Sequence, residues 1–91
     1  MQIYAAEGIT DRDRAAFIVR CVGGILRVGR TFVPDGSDKT LPTDLRVTLT
    51  CIERYRRSVG AFDAPHTARV TLIGPSADAL GRGSVIVEAW D

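Results

Sequence analysis

Residues 47–52 read Val-Thr-Leu-Thr-Cys-Ile, and this stretch decides the fold class. From Val47 to Cys51 every second side chain is apolar, which is the period of a β-strand that turns one face to a core and the other to water. The alternation breaks where Ile52 follows, and the strand-like run Leu45–Arg57 is long for a flat sheet. A β-bulge at this break explains both features, because an inserted residue restores the pattern and bends the strand around a small barrel.

The same period of two recurs outward from this stretch. We expect five further strands, which lie near residues 2–6, 14–22, 25–33, 67–72 and 85–90. Gly23-Gly24 is predicted to join two of them in a tight hairpin. No window has apolar residues at helical spacing over two turns, so we expect little or no helix beyond one turn within 75–80. Six strands with regular turns predict one all-β domain over residues 1–91, either a closed barrel or a sandwich.

Composition excludes several classes of function. Twelve basic residues against 11 acidic ones leave a net charge of +1, which is too small for a DNA-packing protein. The first residues lack a signal-peptide pattern, and no apolar run approaches the roughly 20 residues that cross a bilayer. We therefore expect a cytoplasmic protein with no membrane partner. Cys21 and Cys51 lie in apolar strand-like runs and are expected to be reduced thiols of the core.

Motifs for catalysis or metal binding are missing from the sequence. His66 is the only histidine and the two cysteines are far apart, so no zinc-ligand spacing occurs. His66 follows Pro65 in a predicted loop, which favours an exposed turn residue over a catalytic group. A nucleotide-binding P-loop motif is also missing. We expect no enzyme activity, no cofactor, no metal and no bound nucleotide.

Four segments, taken together, resemble a known domain. Residues 20–29 read R-C-V-G-G-I-L-R-V-G, and residues 50–57 read T-C-I-E-R-Y-R-R. Residues 64–74 read A-P-H-T-A-R-V-T-L-I-G, and residues 82–86 read R-G-S-V-I. In order and spacing they are similar to the β-barrel domain of the translation GTPases, of which the second domain of elongation factor Tu is the best-known example. The resemblance implies a six-stranded Greek-key barrel of the translation-factor type, and a non-catalytic module that binds RNA or a ribosome-associated protein.

The resemblance also points to residues that would make the contact. Glu53 matches the pocket-side glutamate of the family, and Arg56-Arg57 match its Arg-Lys pair. Arginine pairs with phosphate and tyrosine stacks on bases, so Tyr55 is either a stacking residue or an inward-pointing one, as at the matching family position. The segment Asp11-Arg12-Asp13-Arg14 replaces the family's glycines, and it is either a self-neutralised charge cluster or a strand beside the RNA. The candidate residues for binding RNA or a partner are Arg12, Arg14, Glu53, Arg54, Arg56 and Arg57.

A protein-interaction module is the alternative function. The barrel would then be an accessory subunit that docks a protein partner through its surface. Trp90, next to the C-terminal Asp91, is either an interface anchor or a plug over the open end of the barrel.

Overall fold

Strands account for most of the chain in a computed structural model, which describes residues 1–64 and 66–89. The strands are β1 (Gln2–Asp11), β2 (Arg14–Arg20), β3 (Ile25–Arg27), β4 (Thr31–Pro34), β5 (Val47–Arg54), β6 (Arg57–Val59), β7 (Ala61–Asp63), β8 (Thr67–Ile73) and β9 (Ile86–Glu88). One short 3₁₀ helix, Ala77–Ala79, interrupts them within the described residues, where one helical turn is predicted. The all-β fold class with almost no helix is confirmed.

Six of the strands follow one another around a curled sheet, in the order β1-β2-β8-β5-β4-β9. The two ends of this path meet, because Gln2 forms a bridge with Val85 and the Ile3 N–H donates to the Ser84 carbonyl at 2.8 Å. This arrangement is that of a small β-barrel. Strand β6 extends β5 as a hairpin, and β3 pairs with β7 in a separate two-stranded ribbon.

The predicted β-bulge lies in β5. Pairing with β8 slips by one residue between Leu49 and Cys51, so the inward face passes from Leu49 to Ile52. Ile52 is fully buried, whereas Cys51 is only half-buried. The expectation that Cys51 is a core thiol is therefore wrong, because the bulge turns it out of the apolar face. Cys21 is buried as expected, and both cysteines are free thiols.

Several boundaries and one pairing differ from the sequence prediction, and the first strand, expected near residues 2–6, extends to Asp11. Gly23-Gly24 does not close a hairpin between neighbours, because β2 pairs with β1 and β8 while β3 pairs with β7. The run 25–33 is divided by Gly29, which adopts a φ of 95° that only glycine accepts readily. The strand expected to reach Arg57 ends at Arg54, where the chain reverses into β6.

The core lies on the inner face of the central strands. Phe17 of β2, Leu72 of β8 and Leu49 of β5 come from three adjacent strands, and all are fully buried. Because side chains alternate along a strand, the outer face of the same strands carries Arg69 and Ile18. The outer face of β2, β8 and β5 is the surface on which the candidate site lies.

Candidate nucleic-acid interface

The β5–β6 connection is a two-residue hairpin turn, and Arg54–Arg57 are here called the hairpin tip. Arg54 pairs with Arg57, so Tyr55 and Arg56 are the two turn residues. Their φ values are 52° and 63°, which is the left-handed backbone that a type I′ turn requires. Asn-Gly is the preferred pair for such a turn, and a bulky residue in this conformation costs on the order of 1–3 kcal/mol. The hairpin tip therefore carries two bulky side chains in a backbone conformation that they adopt only with strain.

Tyr55 projects from the hairpin tip into solvent. Its residue surface is 87% exposed, so the alternative in which Tyr55 points into the barrel is wrong. The reason is that β5 ends one residue earlier and Tyr55 belongs to the turn instead of the strand. The guanidinium carbon of Arg54 lies 5.2 Å from the centre of the Tyr55 ring, which is a cation–π contact. The contact covers one side of the ring and leaves the rest available for stacking.

A groove of about 340 Å³ runs from the hairpin tip onto the outer face of the sheet. Its floor follows a single register line, in which Glu53 pairs with Arg69 and Arg69 pairs with Ile18. Thr67 lies next along β8, and Arg54, Tyr55 and Arg56 form the wall. We call this surface, together with Arg20 opposite Thr67, the basic groove.

Positive charge dominates the basic groove and the hairpin tip. Glu53 is the one carboxylate among the groove residues, and it is half-buried. The arginines of this surface are Arg20, Arg54, Arg56, Arg57 and Arg69. None of them is ion-paired with an acidic residue within residues 1–64 and 66–89. A guanidinium without a carboxylate partner retains its donors for an external anion such as phosphate.

Arg54 and Arg57 face each other across the hairpin. Like charges directly opposite in an antiparallel pair destabilise the pairing. A phosphate bound between the two guanidinium groups would replace repulsion with two charge-assisted hydrogen bonds. The cross-strand pair is therefore a second feature of the hairpin tip that opposes stability and suits an anion.

Arg12 and Arg14 do not join this surface, although they are candidate residues. Arg14 pairs with Ile73, whereas Glu53 pairs with Arg69, four residues away along β8 or about 13 Å at the rise of a strand. The two arginines lie at the β1–β2 turn among carboxylates, and the Asp78 N–H donates to the Arg12 carbonyl there. This end of the sheet carries charges of both signs.

Sequence reasoning missed Arg20 and Arg69. Each is an outward residue of an alternating strand, and that signal is present in the sequence. What brings them onto one surface with Glu53 is the strand order β2-β8-β5, which pairs Arg69 with Ile18, about 50 residues earlier in the chain, and has no local signature in the sequence.

Other candidate residues lie away from the groove. His66 is exposed in the β7–β8 connection, and its Nδ1 lies 2.9 Å from the Asp63 Oδ1. Within residues 1–64 and 66–89, no three His, Cys, Asp or Glu side chains come together as a metal site. Trp90, the candidate plug or anchor, lies outside the described residues, as do Pro65 and Asp91.

Comparison with known proteins gives no relative: no protein-family model, no curated protein and no solved structure matches the chain. In the described part of the chain, no helix has the length and apolar character needed to cross a membrane.

Proposed function

We propose that the protein is a non-catalytic β-barrel module that binds RNA, free or within a ribonucleoprotein, through the hairpin tip and the basic groove. The observation that carries the proposal is the composition of the hairpin tip. A left-handed Tyr55-Arg56 turn and an opposed Arg54–Arg57 pair each reduce stability, and each presents a group that RNA binds. Strained backbone conformations cluster at sites that bind ligands.

The chemistry of the surface matches the two parts of a nucleotide. Tyr55 offers an exposed aromatic ring, and base stacking on such a ring contributes about 1–3 kcal/mol. The arginines offer charge-assisted hydrogen bonds to phosphate. The resemblance of residues 50–57 to a strand of the translation-factor barrel supports the same surface, by analogy of fold and motif.

The overall charge sets the conditions for binding. A net charge of +1 provides little long-range attraction, so affinity depends on the local cluster of arginines and falls as salt rises. Fluorescence anisotropy with a labelled octauridylate RNA, titrated at several salt concentrations, measures both the affinity and its salt slope.

The double variant Arg56→Ala, Arg57→Ala tests the site. The slope of log affinity against log salt is negative, and losing two phosphate contacts to a single strand should make it shallower by about 1.4. The matched control is Arg12→Ala, Arg14→Ala, which removes the same charge from the opposite end of the sheet and should change neither quantity. Binding that survives the first double variant with an unchanged slope, or that the control weakens equally, contradicts the proposal.

Docking of a ribosome-associated protein is the second candidate function. The observation that favours it is an apolar surface at one mouth of the barrel, where Val22, Ile25 and Val87 are 59%, 52% and 43% exposed beside Leu26 and Phe32. Exposed apolar clusters of this kind mark protein contacts. The variant Val22→Ser, Ile25→Ser should abolish co-sedimentation with ribosomes in this case, and leave the RNA titration unchanged.

A further inference from the structure

The basic groove ends at a second tyrosine. Tyr4 belongs to β1, and pairing with β2 slips between Ile3 and Ala5, so Tyr4 is the bulged residue. The Arg20 Nη1 donates to the Tyr4 hydroxyl at 3.3 Å, and the Tyr4 residue surface is 38% exposed. The hydrogen bond fixes the ring beside Arg20, at the edge of the outer face.

The two tyrosines lie at opposite ends of one surface. From β5 to β1 the sheet passes through β8 and β2, and three steps between strands span about 15 Å of backbone, which is a minimum for the path over the outer face because the sheet curls into a barrel. The register lines that cross this span carry Arg69 with Ile18 and Thr67 with Arg20. An arginine therefore accompanies each tyrosine, Arg54 at Tyr55 and Arg20 at Tyr4, and Arg69 lies between the two pairs.

We propose that the RNA is single-stranded, crosses the strands from β5 to β1, and stacks one base on Tyr55 and another on Tyr4. This inference rests on the function proposed above and adds the substrate class and the path. Bases inside a duplex are stacked on one another and offer no free face, whereas a single strand splays its bases onto aromatic rings. The span between the rings corresponds to a footprint of at least about four nucleotides, within the range of small barrels that bind single strands.

Arg20 acts as a positioning residue for Tyr4 in this arrangement. Its guanidinium holds the hydroxyl, so the ring keeps one orientation before RNA arrives. Arg20 lies opposite Thr67 in the register, so its remaining donors are available to a phosphate beside Thr67. Tyr4→Phe retains the ring and loses the hydrogen bond, and it therefore separates stacking from positioning.

The test is a length series of labelled uridylates with 2, 4 and 8 nucleotides and an 8-base-pair RNA duplex, measured by anisotropy. Wild-type affinity should rise from two to eight nucleotides, and the duplex should bind at least tenfold more weakly than the octamer. Tyr4→Ala should weaken the eight-nucleotide complex about tenfold and leave the dinucleotide unchanged, and Tyr4→Phe and Arg20→Ala should lie between. Ile9→Ala, an exposed apolar residue on the same strand, is the matched control and should have no effect.

The outcomes separate the two proposals. If no uridylate binds at low salt, the proposed function fails and this inference fails with it. If uridylates bind but Tyr4→Ala and Arg20→Ala match wild type, or the duplex binds as tightly, the path to Tyr4 is wrong while RNA binding stands. The circular dichroism spectrum of each variant shows whether its fold is intact. If Tyr4→Ala does not fold, the affinity of Arg20→Ala for the octamer decides whether the path reaches Tyr4.

Discussion

The backbone of Arg46 passes directly over Gly74. A Cβ at Gly74 would overlap the Arg46 carbonyl oxygen and lie 2.9 Å from the Val47 Cα, both of which are main-chain atoms. This contact lies where β8 has just ended and β5 is about to begin, so it fixes how the two central strands enter the barrel. Glycine is required here by space, because the neighbouring backbone has no flexible end that can move aside.

Gly74→Ala should therefore be strongly destabilising. A methyl group forced against backbone shifts both strands, and overpacking of this kind costs about 3 kcal/mol. The matched control is Gly60→Ala, since a Cβ at Gly60 meets nothing within 4 Å and its φ is not in the left-handed region. Urea unfolding measures the stability of the two variants. Similar midpoints for the two variants would show that β5 and β8 do not approach this closely.

Ile52→Ala should destabilise far more than Cys51→Ala, although the two residues are neighbours. The bulge directs Ile52 into the core, where truncation costs about 3 kcal/mol, and turns Cys51 to the outer face, where the cost is below about 1 kcal/mol. The free energy of unfolding of each variant decides the register. A larger loss for Cys51→Ala would place the bulge elsewhere.

Ser84→Ala should destabilise more than Cys51→Ser. Ser84 is a buried polar residue, and its hydroxyl accepts a hydrogen bond from the Gly81 N–H at 3.2 Å. Removal of the hydroxyl leaves that donor without a partner beside the seam where Ile3 joins Ser84, at a cost of about 1 kcal/mol. Position alone, at the start of a strand, suggests the reverse order. Equal unfolding midpoints would contradict the buried role of Ser84.

Period-two patterning was sufficient to predict the fold class and the bulge. The alternation within each strand and its break in β5 are local features that can be read from a few consecutive residues. Pairing was not predictable in the same way. Gly23-Gly24 is a genuine turn signal, but a turn does not say which strand the chain meets next, and β3 meets β7. Likewise the apolar pattern of 25–33 continues through Gly29, and only the backbone conformation of that glycine divides it.

The candidate site was predictable in part for the same reason. Arg54, Arg56 and Arg57 are contiguous in sequence, so any hairpin keeps them together. Arg20 and Arg69 join them only through the order β2-β8-β5, which is decided by packing of distant segments. Arg12 and Arg14 were grouped with the hairpin tip on family analogy, but they lie about 13 Å from it along the direction of β8.

The carboxyl groups of Asp35 and Asp38 should titrate below their ordinary range. The Ser37 hydroxyl and N–H donate to the Asp35 Oδ1 at 2.6 and 2.8 Å, and these bonds lower the pKa of Asp35 from its ordinary value. The Thr40 hydroxyl and N–H lower the pKa of Asp38 in the same way. Because the folded pKa values lie below the unfolded ones, the stability from these bonds is present above about pH 4 and is lost as pH falls through the folded values.

Carbon-13 NMR of the carboxyl groups measures the two pKa values separately. Ser37→Ala should raise the pKa of Asp35 towards its ordinary value and leave that of Asp38 unchanged, and Thr40→Ala should do the opposite. Each variant is thus the control for the other. An unchanged Asp35 titration in Ser37→Ala would mean that the hydroxyl does not donate to this carboxylate in solution.

The double variant Tyr55→Asn, Arg56→Gly should make the protein more stable and less able to bind RNA. Asn and Gly accept the left-handed backbone of the turn, so relief of strain should raise the free energy of unfolding by about 1 kcal/mol and the Tm by about 5 °C. The same change removes a stacking ring and a phosphate contact, so affinity for octauridylate should fall at least about tenfold.

The matched control is Arg12→Asn, Asp13→Gly in the two-residue hairpin turn between Asp11 and Arg14, where neither turn residue has a positive φ. That control should give no gain in Tm and no loss of affinity for octauridylate. A hairpin-tip variant that is less stable would show that the turn is not strained, and one that is more stable but binds RNA as tightly as wild type would show that the strain does not serve RNA binding.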